Sequence, residues 1–292
     1  MEESLQAILP IFEVKDDRFE VGQIANCHLL IEVGKERFRF AIQHEKNDMF
    51  MWMEDYQIMS VLNENQLLQT LQRIYDQHHF LAANYWKSVS LSINSNYFTF
   101  IPEEIFRRED SSKYINFAAG SQINEDHYIY DFKHQTINAF NVFGVEKKLI
   151  NWFKEMYTVK KITPVHLIST LIECIRQLPS PDGMHVHFEE ESLIVVYSKY
   201  NALQFCNRFN YRTPQDAAYH VLFVINQLSL NTTTPLTLYG EITPFSEAYA
   251  LIFKTMTSIS FGAMPENLNF SYFFQDMPEH RYCSLFSMLY TY

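Results

Sequence analysis

Twice along this chain the same order of elements can be read from residue pattern alone, and that repetition restricts the possible folds more than any single motif. Residues 27–33 (CHLLIEV), 37–43 (RFRFAIQ) and 49–58 (MFMWMEDYQI) are three successive runs rich in β-branched and aromatic residues, separated by short polar turns. Gly34-Lys35-Glu36 suits the first hairpin. A helix follows, with Asn63 at its cap and Leu67, Leu68, Leu71, Ile74 and Tyr75 at helical spacing. Residues 88–93 (SVSLSI) then alternate as a strand. The second copy runs through 184–188 (MHVHF), 192–198 (SLIVVYS) and 202–209 (ALQFCNRF). Its helix opens at Thr213-Pro214, with Asp216 three residues after the cap, and 235–241 (PLTLYGE) supplies the later strand. Both copies read β-β-β-α-β, a duplication of pattern rather than of letters.

The remaining segments fit around these two units. Residues 1–21 read as an arm or an edge strand, and 97–101 (YFTFI) as a strand running on to Pro102. Residues 127–132 and 137–143 read as a hairpin, and 146–156 as a helix. A further helix is expected to start at Thr163-Pro164 and reach Leu178, and another to span 246–259. The segment 179–183 (PSPDG) is the clearest break, placing one half over 1–180 and the other over 181–292. The aromatic tail from Met264 is too apolar to float free, so 270–274 (FSYFF) and 286–292 are expected to pack inward rather than form an interface. The fold class expected is α/β, with mixed sheets.

Charge and composition narrow the function classes. A net charge of −11 argues against a nucleic-acid partner, whose backbone demands clustered Lys and Arg, and against an anionic membrane surface. No apolar stretch reaches the eighteen or so residues of a spanning helix. The acidic start, Met1-Glu2-Glu3, is unlike a secretory leader. Cys27, Cys174, Cys206 and Cys283 stand far apart and read as buried thiols of a reducing compartment, which makes the cytoplasm the expected location. Only seven glycines occur where average usage of about 7% would give roughly twenty, so there are few places for a loop that cradles phosphate.

Three antiparallel strands, a helix and a parallel strand form the core of the ribonuclease H-like unit, and two in tandem resemble the actin-like ATPase superfamily. With YFTFIPEEIF (97–106) after the first unit's strand, the layout resembles a narrower group. That group is an uncharacterised bacterial family of Bacteroidetes, domain of unknown function 3822, with an actin-like ATPase fold and no established function. The resemblance implies a nucleotide cleft between the halves, an Asp-x-Gly phosphate hairpin in each half, and an adenosine motif with paired glycines. Here the first hairpin reads Ile31-Glu32-Val33-Gly34, with Glu32 in the place of Asp and Gly34 matching. The second, Phe188-Glu189-Glu190-Glu191-Ser192, has three carboxylates and no Gly, and unneutralised charges of that sign repel a polyphosphate. The adenosine position, Leu238-Tyr239-Gly240-Glu241, keeps one Gly.

The expected function is therefore a non-catalytic scaffold that works through protein contacts, with no cofactor and no catalytic residue. The alternative is ATP with Mg²⁺ held at Glu32, Gly34 and Gly240. A second alternative, a metal-dependent ribonuclease H-like nuclease, would use Glu189 or Glu190 with Asp216 and Glu241. Asp216, however, sits in a first helical turn, where a carboxylate stabilises the helix without any metal. Adjacent His78 and His79 face different directions, and His185 with His187 fall short of a structural zinc site.

Overall fold

The computed structural model describes residues 8–58, 63–123 and 125–291. The chain opens with β1 (Phe12–Lys15), β2 (Cys27–Val33), β3 (Arg37–His44), β4 (Met49–Gln57), α1 (Glu64–Gln77) and β5 (Ser88–Ile93). A second group comprises β6 (Phe98–Pro102), α2 (Ser111–Ala119), β7 (His127–His134) and β8 (Ala139–Glu146), followed by α3 (Lys147–Met156), β9 (Pro164–His166) and α4 (Leu167–Gln177). Next come β10 (Gly183–Phe188), β11 (Ser192–Lys199), β12 (Ala202–Asn210), α5 (Pro214–Gln227), β13 (Leu236–Gly240), α6 (Glu247–Phe253) and β14 (Ile259–Phe261). The tail carries β15 (Asn269–Phe270) and α7 (Glu279–Phe286).

The repetition seen in the sequence is a repetition of topology. The first sheet contains the path β4-β3-β2-β5-β9 and the second is β12-β11-β10-β13-β14. In each, three antiparallel strands are extended by two parallel ones. The chain between β5 and α3 is an insertion with no counterpart in the second copy, and folds as a separate antiparallel sheet ordered β6-β8-β7. Helix caps follow their residues. Asn63 accepts from the Gln66 amide, and Thr213 with Asp216 closes a reciprocal capping box ahead of Pro214.

Two expectations fail for identifiable reasons. Thr163-Pro164 begins a three-residue strand at the edge of the first sheet, where a proline's missing N–H is tolerated. The helix starts later, at Leu167, with the His166 side chain accepting from the Ile168 amide. The helix expected over 246–259 stops at Phe253, because the Thr257 amide is drawn to Thr232 O and Ile259 joins a parallel strand beside β13.

Helix α4 is buried along nearly its whole length, apolar groups and Ser169, Thr170 and Glu173 alike, because it lies in the centre of the molecule. His134 on β7 satisfies two of these polar groups, bonding Glu173 at 2.6 Å and Ser169 at 3.1 Å. One face of the first sheet packs on α1 and α3. Its other face is covered by the tail, where Phe50, Phe270, Phe274 and Phe286 interlock while Tyr272 and Phe273 stay exposed. Among the described residues no helix is long and apolar enough to cross a membrane.

Candidate functional site

The β2–β3 turn of the first sheet and the β10–β11 turn of the second face each other, and charged side chains fill the space between them. Strand pairing sets the first row: Glu32 on β2, Arg39 on β3 and Asp55 on β4 are direct cross-strand partners. Alternation along β3 puts Phe38 and Phe40 into the α1 core and leaves Arg37 and Arg39 on the opposite face. Arg39 bonds Glu32 at 2.9 Å and lies 3.2 Å from Asp55.

The second sheet completes the cluster. Glu241, just past β13, accepts from Arg39 at 2.7 Å and forms an ion pair with Arg37 at 3.1 Å. Arg37 also pairs with Glu190 of the β10–β11 turn. From α7, Arg281 reaches the Glu241 oxygen that also faces Arg37, and Tyr282 packs under the Arg39 guanidinium while its hydroxyl donates to Asp55 at 3.2 Å. Arg39 is 1% exposed and the side chains of its three carboxylate partners are at most 8% exposed, so the Arg39 pairs are shielded from water and salt, whereas Glu190 and Arg281 at the rim keep contact with solvent. Nearby carboxylates hold the Arg39 guanidinium charged against the burial that opposes it. Four carboxylates, Glu32, Asp55, Glu190 and Glu241, meet three guanidinium groups. The cluster has no surplus positive charge to offer.

Beside it opens a cleft of about 780 Å³ between the two turns, walled by Lys35, Glu36, Glu189, Glu190, Glu191 and Arg208 among others. Burial, and then the neighbouring Glu189 charge, pushes the Glu36 carboxyl up to about 7. Burial alone would also raise Glu189, but the hydrogen bond with His187 (2.6 Å) and the nearby Arg39 and Arg208 hold it down to about 2. Arg208 bonds Asn94 and Asn96 across the cleft wall.

The family described as protein of unknown function (DUF3822) matches residues 16–258. The chain belongs to that family. Among solved structures, this chain is similar to a Bacteroides thetaiotaomicron VPI-5482 protein described as having an actin-like ATPase fold and unknown function. The TM-score is 0.74 at 20% identity, over 84% of this chain and 93% of that one. A chain of the PilM–PilN type IV pilus biogenesis complex aligns with TM-score 0.59 at 10% identity, over 90% of this chain and 98% of that one. At these identities the likeness is one of fold, and this DUF3822 member has the actin-like ATPase fold. No curated protein matches it.

Within that fold the three residues singled out from the sequence have distinct environments. Glu32 is 3% exposed and bonded to Arg39. Gly34 begins the first turn, its amide donating to Arg37 O, and a Cβ there would lie 3.1 Å from the Asn94 Cβ. Gly240 has φ +76°, and a Cβ would lie 2.1 Å from Phe188 O, so backbone geometry alone demands glycine. The acids of the nuclease alternative are each engaged elsewhere: Glu189 with His187, Glu190 with Arg37, Glu241 with three arginines and Asp216 with its cap. Among the described residues no three His, Cys, Asp or Glu side chains form a group able to hold a metal ion.

Sequence reasoning missed Arg37, Arg39, Asp55 and Arg281. A signal for the first pair was present, since RFRF alternates charge with aromatic side chains in a strand whose neighbours are apolar.

Proposed function

We propose that this DUF3822 protein is a non-catalytic scaffold of the actin-like fold, resident in the cytoplasm and acting through contacts with other proteins. One observation carries the reading: Arg37 and Arg39 are bonded to Glu190 and Glu241 of the opposite sheet, between the two turns where the superfamily grips phosphate. A nucleotide would have to displace buried ion pairs and enter a wall bearing Glu36, Glu189, Glu190 and Glu191. The PilM–PilN neighbour is, by its description, part of a complex between proteins, which agrees with a role in assembly for this fold. The unpaired cysteines fit a reducing compartment.

The test is titration calorimetry of the whole protein with Mg-ATP. The reading expects no saturable heat at nucleotide concentrations up to the millimolar range. Micromolar binding that disappears in Gly34→Glu would establish the nucleotide-binding alternative instead.

A further inference from the structure

Strand β12 ends the second sheet, and β6 ends the sheet of the insertion, so among the described residues each has an open edge. The Tyr211 amide donates to Glu191 O, which sets the β11–β12 ladder. The amides of Phe205, Asn207 and Phe209 therefore point to β11, and those of Cys206 and Arg208 point away, the Arg208 amide donating to the Asn207 side chain at 2.9 Å. The bond from the Gly144 amide to Tyr97 O does the same for β6, turning the Phe98 and Phe100 amides away from β8. These two edges flank one groove of about 350 Å³, whose walls include Phe98, Phe100, Leu203, Phe205 and Cys206. Its floor is apolar, since Phe98, Phe100, Leu203 and Cys206 pack on the core around α4. Arg208 closes one end by bonding Asn94 and Asn96.

Natural edge strands are usually blunted by Lys, Pro, a bulge or shortness. β12 is nine residues long and contains neither Lys nor Pro, and its register irregularity lies toward its start, opposite Tyr197 and Ser198. We propose that this groove takes an extended segment of a partner protein as an added strand on β12, with alternate apolar side chains against Phe98, Phe100 and Leu203. Main-chain groups on the walls ask for a main-chain partner, and a helix has already used its own. With residues of β6 lining the opposite wall, the groove suits a lone extended segment better than the edge of a sheet carried by a second folded copy. This inference rests on the protein-contact reading above and gives it a place on the molecule.

The probe is a displayed library of random peptides of about ten residues, selected against the whole protein. The inference expects selected peptides with apolar residues at every second position. N-methylation of alternate peptide amides should weaken binding about tenfold or more, with a two-residue period, because each methyl removes one ladder bond. Amide exchange at Cys206 should slow in the complex, and Phe100→Glu or Leu203→Glu should abolish binding. The N-methyl scan uses the unaltered protein, so a variant that fails to fold does not blunt the test. No selectable peptide, loss without a two-residue period, or dimerisation of the free protein through β12 would each overturn the inference. Mg-ATP is titrated alongside: heat there overturns the scaffold reading, whereas silence from both nucleotide and peptides overturns the groove alone.

Discussion

At the scale of single residues, Arg39 illustrates what alternation in a buried strand can do. It contacts Glu32 and Asp55 on its own sheet and Glu241 on the other, inside a region from which water is excluded. Burying a charge is costly, so its removal strands Glu32 without its cation and leaves Asp55 and Glu241 to Arg37 and Arg281 alone, which is worse than never having had the pairs. Arg39→Met is expected to lower stability by about 3–5 kcal/mol, measured by urea unfolding at neutral pH. Glu36 gives a pH-dependent counterpart. Its carboxyl is raised from the ordinary 4.5 to about 7, so the folded state binds its proton more tightly than the unfolded state does. The stabilisation is complete below about 4.5 and is lost as pH rises through about 7. His166 and His185, lowered by burial to about 3 and about 4, act in the opposite direction below their usual value. The informative quantity is therefore the difference between wild type and Glu36→Gln, which should grow in favour of the variant from pH 4.5 to 7 and be flat above. The Glu32 position was legible in the sequence as a departure from a phosphate hairpin. Its guanidinium partner was not, because strand register across three strands is not written in any one of them.

At the scale of elements, local chemistry decided most outcomes. Cap residues placed α1 and α5 to within a residue, since the Asn63 and Thr213 side chains accept from first-turn amides that lack an i−4 carbonyl within the helix. Runs rich in β-branched and aromatic residues between polar turns located β2, β3, β4, β10, β11 and β12, and alternation located β5. The errors fell where tertiary pairing overrode local preference: β9 is three residues long and exists only because β5 lies beside it, and β14 depends in the same way on β13. The tail is the other case. Its aromatic content called for burial, but nothing local named the first sheet as its cover. Phe286 is fully buried, edge-on to Phe50 at 4.6 Å and to Phe270 at 4.9 Å, whereas Phe273 is 46% exposed. Phe286→Ala should cost about 3–5 kcal/mol, and Phe273→Ala roughly 0.5 kcal/mol or less, both read from thermal or urea unfolding. Equal losses would mean that the tail does not pack as described.

At the scale of the whole molecule, two sheets of like topology approach through their first hairpins, and ion pairs between them occupy the meeting place. The order of strands and the family were legible from the sequence because hydrophobic period and turn spacing survive divergence that erases individual letters. The state of the cleft was not. Scarce glycines and the acidic 189–191 turn argued against a phosphate cradle, but only the three-dimensional arrangement shows Arg37 and Arg39 already bonded to Glu190 and Glu241. The most direct measurement is a crystal structure of the protein grown with several millimolar Mg-ATP. The account predicts both guanidinium groups still on their carboxylates and no nucleotide density between the β2–β3 and β10–β11 turns. A triphosphate seen there, with Arg37 and Arg39 swung onto its oxygens, would contradict it.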